Sequence, residues 1–251
     1  MYDLETFELL RTMQNHTDTV LSVDSCQDII VSGGKDFQLL VSGLQDGRRI
    51  TKLCGTNSLI TGNQTWVSKV CATADIVIAG MNNGEIFTWD VTDWLLRRKV
   101  VLEGASPVLS LLAWRPAHLQ EPHPDASFLV KYPYHMLIGS ADGRLRRYDL
   151  AGGSYDFDVH VGGGGPDGGV IASSLANVSD ADGNSKGWPL IVSATPQAWY
   201  VYDSISGRML YSEECACTHA SAGFTGNTVF VCDARGHFRI VNVDTIVNYW
   251  L

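Results

Sequence analysis

The 251-residue sequence has no apolar run long enough to cross a bilayer and no charged-then-apolar segment at its start. A membrane-spanning helix needs about 20 consecutive apolar residues, so the sequence predicts no membrane insertion. A secretory signal peptide would carry a basic stretch followed by an apolar one. We therefore expect the cytoplasm as the compartment, with the nucleus as the alternative.

Positive charge is also scarce, because 18 Lys and Arg residues face 27 Asp and Glu residues and leave a net charge of -9. Affinity for phosphate backbones comes from clustered Lys and Arg, so no nucleic-acid partner is expected. The two short basic clusters are Arg97–Lys99 and Arg144–Arg147. We interpret both as solvated strand faces, with a phosphate site as the alternative.

The six cysteines include no pair with the spacing of a redox or zinc-binding motif. Cys215 and Cys217 come closest, but alternate residues of a strand only share a face, so reduced thiols and no metal are expected. The glycine tract Gly162–Gly169 lacks the Lys-Ser/Thr of a phosphate loop and is interpreted as a spacer. The sequence therefore predicts no cofactor.

A repeated hairpin pattern runs through the chain. In Leu137–Leu150 an apolar strand, a turn at Asp142-Gly143 and a second strand ending in Tyr148-Asp149 follow one another. Glycine accepts the positive φ that such a tight turn requires. The other four copies are Ile29–Ser42, Ile76–Asp90, Leu190–Asp203 and Thr228–Asn242.

Each hairpin is preceded by another apolar strand and by an outer strand, so the repeating unit has four short antiparallel strands. The closing positions recur every 40 to 60 residues or so, which is the range of a propeller blade with insertions. We expect inserts at Arg115–Pro133 and Ser179–Trp188. The prediction is an all-β protein, a β-propeller of about five four-stranded blades in a single domain over 1–251. Its repeats are 4–43, 48–91, 97–150, 154–204 and 208–243.

The opening Tyr2-Asp3, the outer strand after it and Asn15-His16 resemble the WD40-repeat family. In that family a His, a Ser or Thr, an Asp and a Trp form a hydrogen-bonded structural set in each blade. The resemblance assigns this structural role to His16, Ser32, Asp36, Asn83, Trp89, Asp142, Tyr148 and Tyr202, while Ser42 stands where the Trp of the first unit is expected. The set is incomplete in every unit, which predicts blades held largely by packing.

The resemblance also implies an offset between repeat and blade, so that the outer strand of one repeat completes the preceding blade. The predicted outer strand Glu8–Met13 would then complete the last sheet, over 217–242, and close the ring. Five blades are fewer than the family's usual seven, and the chain starts as though within a repeat. A partial or truncated ring is therefore the alternative to a closed one, and its open sheet edges would need covering.

The implied function is a non-catalytic protein-interaction scaffold or adaptor that binds peptides or domains on its upper rim. Candidate rim residues are Lys35, Trp66, Asn82, Thr19 and Ser106, with packing between blades as the alternative role for Trp66. Trp94 and Trp199 are interpreted as packing residues. Two alternatives stay open: the chain is the WD40 portion of a larger multidomain enzyme or transport-complex subunit, or His16, Ser32 and Asp36 form a hydrolase triad.

Overall fold

The computed structural model describes residues 1–53, 65–115, 133–161, 168–179, 185–222 and 228–242. Most of the predicted insert Arg115–Pro133 and of the glycine tract Gly162–Gly169 lies outside these residues, as does the end of the last predicted repeat. The chain divides into two compact units, Met1–Ala105 (unit 1) and Ser106–Leu251 (unit 2).

Unit 1 contains two four-stranded antiparallel sheets, each built from strands in sequence order. Sheet 1 consists of β1 Val20–Cys26, β2 Ile29–Gly34, β3 Leu39–Gly43 and β4 Arg49–Leu53, and sheet 2 of β5 Val67–Ala72, β6 Ile76–Met81, β7 Glu85–Asp90 and β8 Leu96–Val101. A short 3-10 turn at Glu103–Ala105 follows.

Unit 2 contains three antiparallel sheets, of which the last has three strands in the described part of the chain. Sheet 3 consists of β9 Val108–Trp114, β10 His135–Ser140, β11 Arg144–Asp149 and β12 Ser154–His160, and sheet 4 of β13 Ala172–Ser179, β14 Ser185–Ala194, β15 Ala198–Asp203 and β16 Met209–Glu214. Sheet 5 consists of β17 Cys217–Ala222, β18 Thr228–Asp233 and β19 Phe238–Asn242.

The predicted all-β class, with five blade-like antiparallel sheets, is confirmed. The turn chemistry explains the hairpins at the centre of sheets 2 and 3. Gly84 and Gly143 have φ of 79° and 76°, a left-handed conformation that costs glycine little. The Gly84 amide donates to the Met81 carbonyl at 3.2 Å and so closes its turn.

Neighbouring sheets within a unit pack face to face. Val31 and Val41 of sheet 1 meet Phe87 and Trp89 of sheet 2 in one buried cluster. Because strand residues alternate between faces, Ser32 and Ser42 lie on the opposite face of sheet 1. In unit 2 the largest fully buried side chain is Trp199, which packs between sheets 4 and 5.

The predicted outer strand Glu8–Met13 is wrong. Among the described residues this segment forms only an isolated bridge between Leu9 and Tyr2, and it belongs to no sheet. A strand needs a neighbouring edge to satisfy its backbone groups, and apolar periodicity does not show whether that edge is available.

The predicted insert Ser179–Trp188 is wrong at its C-terminal end, because residues 185–188 belong to strand β14 and Ser185 pairs with Ser179 of β13. Residues 180–184 of this insert lie outside the described residues.

Candidate functional site

A buried hydrogen-bonded chain supports one end of sheet 1. His16 Nδ1 lies 2.9 Å from both carboxylate oxygens of Asp36, and its Nε2 lies 2.8 Å from Ser32 Oγ. The His16 and Asp36 side chains are only 6% and 3% exposed. Asp36 also accepts the backbone N–H groups of Thr17 and Gln38, at 3.0 and 3.2 Å. The chain ties the segment before β1 to the β2–β3 turn.

These contacts decide the charge state of Asp36. Burial alone would raise the pKa of this carboxyl, but hydrogen bonds from His16, Thr17 and Gln38 outweigh it and hold the pKa below its ordinary value of 3.8. Asp36 is therefore ionised at neutral pH.

Acid titration should expose this dependence. Because the folded pKa of Asp36 is depressed, its contribution to stability is complete above pH 3.8 and is lost as the pH falls through the lower folded value. We expect Asp36→Asn to lower the free energy of unfolding by about 2 kcal/mol at pH 7, the usual size for a hydrogen-bonded charged group, and by less near pH 2. Denaturant unfolding measured at stepped pH values checks this, and an equal loss at every pH would contradict it.

The turn that contains Asp36 presents an exposed aromatic side chain. Phe37 has φ of 64° and is 46% exposed. In the equivalent turns of sheets 2 and 3 the same position is held by Gly84 and Gly143, each one residue after the turn Asn83 or Asp142. A bulky residue in this left-handed region costs roughly 1–2 kcal/mol. Such strain persists where the surrounding structure enforces it, and it concentrates at functional sites.

A second aromatic side chain is held by the neighbouring sheet. The Trp66 backbone N–H donates to Asn82 Oδ1 at 2.8 Å, and the Asn82 N–H donates to the Trp66 carbonyl at 3.1 Å. This reciprocal pair fixes the backbone of Trp66, and the Trp66 side chain stays partly exposed. Asn82 therefore positions the backbone of Trp66.

Together these elements form a pocket of about 460 Å³, here called the rim pocket. It is lined by Thr17, Asp18, Lys35, Asp36, Phe37 and Trp66. The structure thus brings together two of the predicted rim residues, Lys35 and Trp66. Phe37 did not emerge from the sequence, although aligning the turns places this aromatic residue where the other hairpins have glycine.

The remaining predicted rim residues lie elsewhere. Thr19 is exposed beside the rim pocket, where its N–H donates to Asp18 at 2.6 Å and its carbonyl accepts the Lys35 N–H at 2.9 Å. Ser106 belongs to unit 2 and is buried, and its hydroxyl accepts the backbone N–H of Asp142 at 2.9 Å. These contacts indicate a structural role for Ser106 instead.

The other residues assigned to the structural set lie within the sheets. Asn83 accepts the Glu85 N–H at 3.2 Å, and Trp89 is 3% exposed with its ring 5.9 Å from that of Phe87. Tyr148 is buried against Tyr155. Burial, with a smaller effect of Tyr200, raises the pKa of Tyr202 above its ordinary value.

Sheet 3 contains a buried arginine, Arg146, which the sequence did not predict. Arg146 is 3% exposed, and its Nη2 lies 2.6 Å from Asp142 Oδ2 while its Nη1 donates to Ser140. The interpretation of Arg144–Arg147 as a solvated face is wrong for Arg146. Strand alternation places Arg146 on the same face as the inward-facing Tyr148, and this was the available signal.

Hydrolysis and metal binding would each require a particular arrangement of side chains at the site. His16, Ser32 and Asp36 have the contacts of a hydrolase triad, but these contacts also fasten a turn to a strand. A G-x-S-x-G sequence occurs at 183–187, but its Ser185 begins β14 of a hairpin instead of occupying a strand-to-helix turn. Among the described residues, no group of three or more His, Cys, Asp or Glu is placed to hold a metal ion.

Comparison of the sequence with protein-family models and with curated proteins found no match. In the described part of the chain no helix is long and apolar enough to span a membrane.

Proposed function

We propose that this protein is a non-catalytic interaction scaffold related to WD40-repeat proteins, and that its rim pocket binds a segment of a partner protein. The observation that carries the proposal is the pairing of two partly exposed aromatic side chains, Phe37 and Trp66, around one exposed cation, Lys35. We place the protein in the cytoplasm or nucleus, as a component of a larger protein complex.

The aromatic side chains are suited to binding because their backbones are already fixed. The reciprocal hydrogen bonds of Asn82 hold Trp66, and the buried carboxylate of Asp36 anchors the turn that presents Phe37. Aromatic side chains on a fixed backbone have few torsions to order on binding, and aromatic residues are enriched among those that dominate binding energy. A role in binding would explain why the protein keeps a strained backbone conformation at Phe37.

The charges in the rim pocket indicate the partner's chemistry. The rim pocket contains two carboxylates and one ammonium: Asp36 bonds to His16, Asp18 accepts from Thr19, and Lys35 is the single cation of the lining. In the described part of the chain no carboxylate lies within ion-pair distance of the Lys35 ammonium. A partner segment whose acidic side chain lies at Lys35 and whose apolar side chain lies against Phe37 and Trp66, away from the two carboxylates, would complement this arrangement.

Substitutions in the rim pocket test the proposal. Partners are first captured from extract and identified by mass spectrometry, and the dissociation constant of the purified partner is then measured. We expect Trp66→Ala to weaken binding about 30-fold, which corresponds to the roughly 2 kcal/mol of a dominant interface residue. We expect Lys35→Glu to weaken it by about tenfold or more, through the reversed charge.

Two further variants separate binding from folding. Phe37→Gly should relieve the positive φ and keep or raise the melting temperature while it weakens binding. Ile50→Ala removes another exposed apolar side chain of sheet 1, at 51% exposure, and should leave binding unchanged. If the rim variants bind like the wild type, the assignment of the rim pocket is wrong.

A further inference from the structure

A second pocket lies on the face of sheet 1 that points away from sheet 2; Asp18 lines both pockets, but the inference drawn from the second pocket does not rest on the proposed rim function. Its volume is about 490 Å³, within the usual range of small-ligand pockets. Apolar walls come from Met13, Val23 and Ile30, and polar groups come from His16, Ser32 and Ser42. This pocket is here called the Ser42 pocket.

The register of the strands explains why the Ser42 pocket exists. Ser42 pairs with Ile30 just before the end of β3, and the matching position in sheets 2, 3 and 4 carries an aromatic residue. These aromatic residues are Trp89 opposite Val77, Tyr148 opposite Met136 and Tyr202 opposite Ile191. All three are buried, at 3%, 6% and 3% exposure. Sheet 1 therefore has a serine where three other sheets place a large ring.

The polar wall of the Ser42 pocket provides a hydrogen-bond acceptor for an aromatic ring that carries an N–H group. Because His16 Nδ1 faces the Asp36 carboxylate, the Nδ1–H tautomer leaves Nε2 to accept the Ser32 hydroxyl proton at 2.8 Å. A hydroxyl oxygen that donates its proton keeps two lone pairs for acceptance. Ser42 Oγ is held by Asn15 Nδ2 at 3.2 Å, so the hydroxyl groups of the wall are oriented.

We propose that the Ser42 pocket binds a planar aromatic ring of indole type, with the ring N–H donating to Ser32 Oγ and the ring face against Val23 and Ile30. Cavities left by a missing large side chain are known to bind small aromatic molecules. The ring comes either from a free indole-type metabolite or from a tryptophan side chain of another protein. Both sources share the chemistry that the pocket recognises.

Ligand titration of the full chain tests this proposal and distinguishes the sources. We expect indole to bind saturably by calorimetry, and benzothiophene, which has the same shape without the N–H donor, to bind about tenfold more weakly. Binding of N-acetyltryptophanamide as well as indole would support a tryptophan side chain as the source, and binding of indole alone would support a free metabolite. Absence of indole binding, or equal affinity for benzothiophene, would overturn the proposal.

Three variants locate the binding. Ser42→Trp fills the pocket and should abolish indole binding, whereas Val241→Trp at the matching position of sheet 5 should leave it intact. Ser32→Ala removes the acceptor and should weaken indole by about tenfold while leaving benzothiophene unchanged. The Ser32→Ala test compares two ligands on the same variant. Its result is therefore valid even if Ser42→Trp fails to fold. Indole binding that survives Ser42→Trp would place the ligand elsewhere and overturn the assignment.

Discussion

Replacement of Trp199 by alanine is expected to lower the free energy of unfolding of unit 2 by about 3–5 kcal/mol. The indole ring is fully buried among Leu190, Val201 and Val229, and it joins sheets 4 and 5 in one cluster. Its Nε1–H also donates to Glu213 at 3.1 Å. The substitution therefore removes apolar contacts and one hydrogen bond, and it leaves a cavity.

Chemical denaturation monitored by circular dichroism measures this loss. The matched variant Trp199→Phe keeps most of the apolar contact and should cost about 1–2 kcal/mol, because it removes the hydrogen bond and part of the ring. We expect the melting temperature of the alanine variant to fall by roughly 10 °C. A loss below about 1.5 kcal/mol would mean that sheets 4 and 5 are not held together by this residue.

Arg146→Met is expected to cost about 3 kcal/mol, although methionine is apolar and of similar length. The Arg146 side chain is 4% exposed, and its guanidinium bonds to Asp142, Ser140 and Asp158. Burial alone would raise the pKa of Asp142, but the hydrogen bonds from Arg146 and Ser140 outweigh it and keep the pKa below its ordinary value. Removal of Arg146 leaves that carboxylate without its principal partner.

The neighbouring arginine provides the control. Arg144 is 42% exposed on its side chain and pairs with Asp158 at 2.9 Å, so Arg144→Met should change stability by less than about 1 kcal/mol. The free energy of unfolding is compared for both variants in the same denaturant series. Equal and small losses for the two variants would show that Arg146 behaves as a surface ion pair.

The sequence predicted the hairpins because their signals are local. An apolar strand, an Asp or Asn followed by glycine, and a second strand determine each turn from residues that are close in the chain. The order of strands within a sheet came from the offset that the resemblance implied, and β4 Arg49–Leu53 completes sheet 1 in agreement with it. Sheet 5 has three strands among the described residues. The segment Glu8–Met13, which the offset would add to it, forms only an isolated bridge.

The candidate site was predicted in part. The residues His16, Ser32 and Asp36 and two rim residues were named, because the resemblance to WD40-repeat proteins implies their positions relative to the turns. Phe37 was missed because its role depends on a positive φ, and Arg146 was missed because charge was taken as a sign of exposure. A buried ion pair depends on both partners, and the charge of one residue does not reveal it.

Site-specific photocrosslinking from the rim pocket tests the central claim most directly. A benzophenone amino acid replaces Phe37 in one protein and Phe238 in another, since both rings are exposed, at 46% and 58%. We expect illumination in extract to crosslink position 37 to a discrete protein, with the crosslink lost when Trp66→Ala is added, and position 238 to give no such product. The absence of a crosslink at position 37, or the same product from position 238, would contradict the assignment of the rim pocket as the surface that binds a partner.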